Sequence, residues 1–204
     1  IFFLGEAGII KVMDELCHGC GACSVACEFG AITEKEDLLG TVSQYSISEN
    51  CTLIEARMKV GVHSPVSTIK AAINATESNG IVILDAPPGT SCPFIQTVAQ
   101  ADYVVLVTEP TPFGLSDLKQ SVEILKTLGK PCGVIVNRAG LGDLEVYNYL
   151  KQENIPLLMS IPFDREIASI YSNGGLLTNE DAEWEQKFNQ LFTSIATEYG
   201  NSSN

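Results

Sequence analysis

The sequence predicts an α/β protein, a parallel sheet covered by helices, with a small α+β segment ahead of it. Three observations carry that expectation. From residue 65 onward, helical stretches alternate with short apolar runs that lack polar alternation. Strands of that kind are buried on both faces, the pattern of a parallel sheet between helix layers. The first 36 residues differ in character, with glycines set among four closely spaced cysteines. A length of 204 residues suits one ordinary domain plus a small appendage, and 45% apolar residues supply a sizeable core.

The elements follow in order. Gly8-Ile9-Ile10-Lys11-Val12 reads as a short strand, and Gly30-Ala31-Ile32-Thr33 as a second after the cysteine run. Thr41 to Ile47 and Cys51 to Ala56 alternate loosely and read as two strands joined by a turn at Glu49-Asn50. Pro65 to Ser78 reads as a helix, then Ile81-Val82-Ile83-Leu84 as a buried strand. The alternation continues with helix Pro93 to Gln100 and strand Val104 to Val107, then helix Leu115 to Leu128 and strand Gly133 to Val136. Helix Leu144 to Glu153 and strand Pro156 to Met159 follow. Residues 181–199 form a closing amphipathic helix, and the polar tail 200–204 is expected to fray. The expected division is a cofactor-binding segment over 1–36 and an α/β domain over 37–204.

The cysteine run is Cys17-His18-Gly19-Cys20-Gly21-Ala22-Cys23-Ser24-Val25-Ala26-Cys27. Its spacing, C-x2-C-x2-C-x3-C, is that of bacterial [4Fe–4S] ferredoxins. Three thiolates must converge on three corners of one iron–sulfide cube, and steps of three residues in a tight loop place them around one centre. Gly19 and Gly21 let the backbone wrap closely and bring N–H groups to the sulfurs. Cys17, Cys20, Cys23 and Cys27 are therefore the candidate metal ligands. The fourth cysteine of such a run usually ligates the other cluster of a two-cluster protein. A zinc site is the weaker reading, since structural zinc sites usually pair two separated halves. The plainest alternative is a set of unligated thiols.

Seven cysteines, three of them scattered at Cys51, Cys92 and Cys132, do not form a disulfide framework. That usage, with a cluster, implies a reducing cytoplasm. A net charge of −13 argues against nucleic-acid and anionic-membrane partners, which select basic patches. The acidity suits a solvated surface or a docking face for a basic redox partner. No apolar run approaches the roughly 18 residues needed to span a membrane, and Ile1-Phe2-Phe3-Leu4 is too short for a signal segment.

A second constellation lies in the α/β part. The apolar run 81–84 ends in Asp85-Ala86-Pro87-Pro88-Gly89-Thr90. Ligands of open α/β sheets bind at the carboxyl ends of strands. An acid there can hold Mg²⁺ through water, and Gly89 leaves room for a phosphate to approach the backbone. The alternative is a strand end followed by a proline turn.

With these segments together, the chain resembles the MinD/ParA-type P-loop ATPases that carry an inserted ferredoxin domain, relatives of the nitrogenase iron protein and of Mrp-type iron–sulfur carriers. The matching stretches are Glu15 to Cys23, Asp85 to Pro93, Val107 to Leu115, Val136-Asn137-Arg138 and Ile161 to Glu166. The resemblance implies a P-loop NTPase-like fold of the SIMIBI type with a ferredoxin-like insert. It implies [4Fe–4S], ATP and Mg²⁺ as cofactors, with Asp85 as the catalytic Walker B acid and Gly89 as the switch II glycine. Asn137 and Arg138 are similar to the adenine-side pair, and Pro162 borders the base. His63-Ser64-Pro65 is similar to the switch I region. The implied activity is ATP binding and hydrolysis at a homodimer interface, coupled to electron transfer or to cluster delivery to an acceptor protein. The rival reading is a ferredoxin-like electron carrier whose α/β body binds no nucleotide.

Departures from the pattern matter. A phosphate loop needs G-x-x-x-x-G-K-[ST], and the one Gly-Lys pair, Gly129-Lys130, is followed by Pro131. In the family that loop precedes the ferredoxin insert, so the chain is expected to be the C-terminal portion of a longer protein, inactive as an ATPase alone. Its sheet would then carry a gap with unpaired backbone groups. On that expectation Cys17, Cys20 and Cys23 share a cluster with an upstream cysteine and Cys27 serves another. In a one-cluster variant Cys27 is the fourth ligand. Glu28 stands where proline normally follows the run. Cys92 reads as a helix-start packing residue, although a bridging cysteine of the nitrogenase iron protein follows the corresponding acid at a similar interval. Cys51 and Cys132 read as small buried hydrophobes.

Overall fold

A computed structural model describes residues 1–199 apart from 6, 7, 18, 78 and 79. The chain forms two compact units, one of Ile1–Ile83 and one beginning at Leu84.

The first unit opens with β1 (Phe2–Leu4) paired antiparallel to β2 (Ile9–Lys11). β1 comes from an apolar triplet too short to show a period. A 3-10 turn at Asp14–Leu16 leads into the cysteine run, which carries the short helix α1 (Ala22–Ala26). β3 (Gly40–Ser48) and β4 (Cys51–Met58) make an antiparallel hairpin, with Glu49 and Asn50 left for the turn as expected. α2 (Val66–Asn74) packs against both strands and buries Thr68. Ser78, the expected end of this helix, lies outside the described residues. Gly30 to Thr33 forms no strand, because no neighbouring strand pairs with it among the described residues.

The second unit begins with α3 (Cys92–Val98), followed by β5 (Val104–Thr108), α4 (Pro112–Leu128), β6 (Cys132–Ala139), α5 (Glu145–Gln152) and β7 (Leu157–Pro162). The strands form a parallel sheet in the order β5-β6-β7. α6 (Arg165–Ser172), α7 (Leu177–Glu180) and α8 (Ala182–Tyr199) close the unit. α6 and α7 extend the sequence reading, which ran from the last strand directly to the closing helix. α7, four residues long, is too short for a helical period to stand out, whereas α6 is as long as α5 and its signal was the Asp164 N-cap. The tail 200–204 lies outside the described residues.

The core joins Phe94 and Val98 of α3, Leu118, Val122 and Leu125 of α4, and Val146 and Leu150 of α5 to Val104, Leu106, Val134 and Val136 of the sheet. Burial on both faces holds only for β6, where Gly133 to Val136 are all buried. β5 is an edge strand with one covered face: Val104, Leu106 and Thr108 are buried, while Val105 is 38% and Val107 64% exposed. The expected strand at 81–84 is not formed. It joins no sheet, and Ile81 and Ile83 are 70% and 85% exposed. An apolar run becomes a strand only when another strand takes its backbone groups. The continuous hydrophobicity of this run reports what it could bury, not what pairs with it here.

Candidate functional site

The cysteine run folds as a turn-rich loop. Gly19 and Gly21 sit at φ +65° and +71°, a left-handed conformation that favours glycine, and Gly21 caps α1. The chain can therefore reverse twice between Cys17 and Cys23. The Gly19 N–H donates to the Cys17 sulfur at 3.5 Å. Cys17, Cys20 and Cys23 are exposed free thiols, and Cys27 is half-buried. Backbone N–H groups of Ala31, then Phe29, Ile32 and Gly30, hold the Cys27 thiol below the ordinary thiol range, partly opposed by desolvation. The Ser24 hydroxyl donates to Glu34 Oε1 at 2.8 Å, tying α1 to the segment behind it. His18 lies outside the described residues.

Soft thiolates on a tight, glycine-hinged loop are the donor chemistry of an iron–sulfur cluster. Among the described residues no three ligating side chains already converge on one point.

In the second unit the carboxyl ends of the parallel strands form a platform. Asn137 and Arg138 are the two residues before Ala139, the last of β6. Pairing of Val136 with Ser160 is followed by pairing of Ala139 with Pro162, so β6 carries one extra residue there. Arg138 takes the strain of this bulge with φ +53°, one of two non-glycine residues at positive φ among those described. That conformation costs on the order of 1 kcal/mol. The Asn137 side-chain oxygen accepts the Arg138 N–H at 3.0 Å. Arg138 Nη1 lies 3.3 Å from Glu109 Oε1 at the end of β5.

The loops beyond the strands are held together. A Cβ on Gly142 would sit 1.7 Å from the Pro110 carbonyl oxygen, so only glycine permits this approach. The Phe163 N–H donates to the Ala139 carbonyl at 3.0 Å, joining the β7 end to the β6 end. Thr108 donates to the Gly114 carbonyl, and a Cβ on Gly114 would meet Glu109 O at 2.4 Å.

Of the residues singled out in the sequence, Asn137, Arg138 and Pro162 come together on adjoining strand ends. Asp85 and Gly89 precede α3 on an exposed segment without strand pairing. Among the described residues Asp85 makes no hydrogen bond or ion pair. Gly89 has φ +92° with open space around it. Glu109 is the residue the sequence reading passed over, for its Glu-Pro-Thr-Pro context signals only a strand-to-helix turn. Among the described residues, one groove runs along the polar face of α8 and another lies between α3 and α4, with Thr90 in its lining.

Cys92 opens α3 and is exposed, whereas burial pushes the half-buried Cys132 thiol above its ordinary pKa. Cys51 is exposed at the start of β4, so only Cys132 fits the expectation of a packed thiol.

Comparison with known proteins bears on the first site. Residues 10–33 match the 4Fe–4S binding domain. The match spans the whole run from Cys17 to Cys27, so the iron–sulfur reading stands on the family as well as on the spacing. An uncharacterized protein of Methanocaldococcus jannaschii is 30% identical over 178 residues, covering 83% of this chain and 61% of the relative. A second uncharacterized protein of that organism is 27% identical over 113 residues, 55% of this chain and 38% of the relative. An iron–sulfur cluster carrier protein of Rickettsia typhi is 27% identical over 147 residues, 65% of this chain and 46% of the relative. The chain thus spans about three fifths or less of the length of these relatives. No helix among the described residues is long and apolar enough to cross a membrane.

Proposed function

We propose that this protein is an ATP-linked iron–sulfur protein, in which nucleotide binding and hydrolysis are coupled to cluster delivery or electron transfer. The observation that carries the reading is the glycine-hinged loop of exposed thiols inside the segment matching the 4Fe–4S binding domain. Cys17, Cys20 and Cys23 hold one cluster, and Cys27, set apart in its own turn, ligates a second or completes the first. A bound cluster supplies one-electron redox chemistry, or is itself the cargo. The name of the Rickettsia relative favours cargo.

The strand-end platform supports the nucleotide part of the reading. Ligands of open parallel sheets bind at the carboxyl ends of strands, and Asn137, Arg138 and Pro162 meet there around a strained arginine. In this reading Asp85 holds Mg²⁺ through water, the Gly89 N–H senses the terminal phosphate, and Asn137 and Arg138 face the base. The switch segment moves with the phosphate, the usual way a nucleotide gates a partner site. The protein acts as a homodimer in a reducing cytoplasm and docks a redox or cluster-acceptor protein. One observation favours a plain electron carrier instead: the segment carrying Asp85 and Gly89 pairs with no strand among the described residues.

Anaerobic reconstitution with iron and sulfide, followed by Mg-ATP binding, tests both parts. Cys17→Ser, Cys20→Ser and Cys23→Ser are each expected to abolish the cluster signal of their site. The full-length gene product is expected to bind Mg-ATP, and Asp85→Asn to lose the Mg²⁺ dependence. The 204-residue chain alone is expected to bind ATP poorly. Tight binding by that chain defeats the assignment of an external phosphate loop, and no binding by the full gene product leaves the electron carrier.

A further inference from the structure

We propose that Val25 and Phe29 are the apolar centre of the surface through which the cysteine loop meets its acceptor, a basic protein that takes electrons or the cluster. The inference rests on the iron–sulfur reading above and deepens it by naming where the partner sits and what it must offer.

The argument starts from where these side chains stand. The helix α1 carries no buried residue, and Val25 in its last turn is 88% exposed. Beyond Cys27 the chain turns, with the Gly30 N–H donating to the Cys27 carbonyl at 3.3 Å. Phe29 stands in that turn and is 92% exposed. Two large apolar side chains thus flank one ligand position, each two residues from Cys27. Phe29 is also tied to the ligand, because its N–H is one of those directed at the Cys27 sulfur.

Folding does not account for the pair. A single exposed apolar residue is ordinary, but exposure this complete means that neither side chain packs on a core. The centre of an interface uses such groups. Aromatic anchors carry much of the binding energy there, and a polar rim surrounds them.

The rim is present, and it is acidic. Over residues 8–37 six carboxylates stand against two lysines. Glu28, between Cys27 and Phe29, is exposed, and so are Glu34, Glu36 and Asp37. The Ser24 hydroxyl holds the Glu34 carboxylate beside α1. That charge selects the occupant. A second copy of the chain, at net charge −13, brings its own carboxylates against this rim. An anionic lipid surface is repelled for the same reason. A basic protein with an apolar centre is attracted and steered instead. Docking there brings the acceptor to a ligand sulfur, the point from which an electron or a cluster leaves.

The test is calorimetric binding of cytochrome c, a lysine-rich haem protein, to the full-length gene product reconstituted with iron and sulfide. Both proteins are oxidised, and variants are compared at equal cluster content. Wild type is expected to bind, with affinity falling as salt rises. Phe29→Ser is expected to lower the affinity by about tenfold or more at every salt concentration, as the loss of an aromatic anchor does. Phe29→Trp is expected to retain it. The double variant E28Q/E36Q is expected to lose affinity at low salt and to flatten the salt dependence, which a merely structural role would not do. Wild type that carries the cluster but does not bind, or unchanged affinity in Phe29→Ser, overturns the proposal while leaving the iron–sulfur reading intact. A dimer of the gene product that Phe29→Ser dissociates makes the occupant a second copy, and phosphatidylserine vesicles that bind wild type but not Phe29→Ser make it a membrane. Either result overturns the proposal. If Phe29→Ser holds no cluster, Val25→Lys decides, because a cation inside the acidic rim must repel a basic partner, and unchanged affinity overturns the proposal. Wild type that takes up no cluster removes the iron–sulfur reading, and this inference with it.

Discussion

At Cys27 the following turn directs N–H groups toward the sulfur, whereas Cys17, Cys20 and Cys23 stand exposed. N–H groups favour the thiolate over the thiol, and the same dipoles favour the reduced, more negative cluster state when they point at ligand sulfurs. Glu28 works in the opposite direction. It places a carboxylate directly after Cys27, where the usual proline carries no charge. Negative charge beside a cluster disfavours adding an electron. Redox titration of the reconstituted protein is expected to show an upward shift of potential in Glu28→Gln. The cysteines and Glu28 were legible in the sequence because ligand spacing is local. The ion pair of Glu109 with Arg138 was not, since it joins residues 29 positions apart and depends on the strand pairing between them.

The helix α4 shows how an element is set by its first turn. Thr111 is its N-cap and accepts the Gly114 N–H at 3.0 Å, Pro112 follows where no N–H is needed, and Gly129 ends the helix in the left-handed conformation. These signals place the helix start at Pro112, three residues before the apolar period alone suggested. Leu118, Val122 and Leu125 then fall on the face that meets the sheet. Thr111→Ala is expected to lower the stability of the second unit by about 1 kcal/mol, measured by denaturant unfolding. Strands were harder to read than helices. Apolar runs of four residues appear at 81–84 and 104–107 alike, yet only the second has a partner strand.

On the scale of the molecule, the chain is two units with separate packing. The first relies on a hairpin covered by α2 and on a cysteine loop with exposed side chains. The second has the sizeable core, and Leu125 at its centre is fully buried. Leu125→Ala is expected to destabilise the second unit by about 3 kcal/mol, the usual cost of a core leucine with its cavity. Iron and sulfide incorporation at the cysteine loop is expected to survive under conditions where the second unit has melted. Loss of both in one transition would mean that the two units fold together.

The sequence by itself determined the iron–sulfur chemistry of the cysteine run and the alternation of helix and strand from α3 to β7. Each of these is written in short-range spacing, caps and hydrophobic period, which need no knowledge of distant partners. Tertiary structure alone decided which apolar runs became strands, which face of β5 stayed uncovered, and that Arg138 sits in a bulge beside Glu109. Those outcomes depend on pairing and packing between residues far apart in the chain, and backbone hydrogen bonds are satisfied only where a second strand arrives to share them.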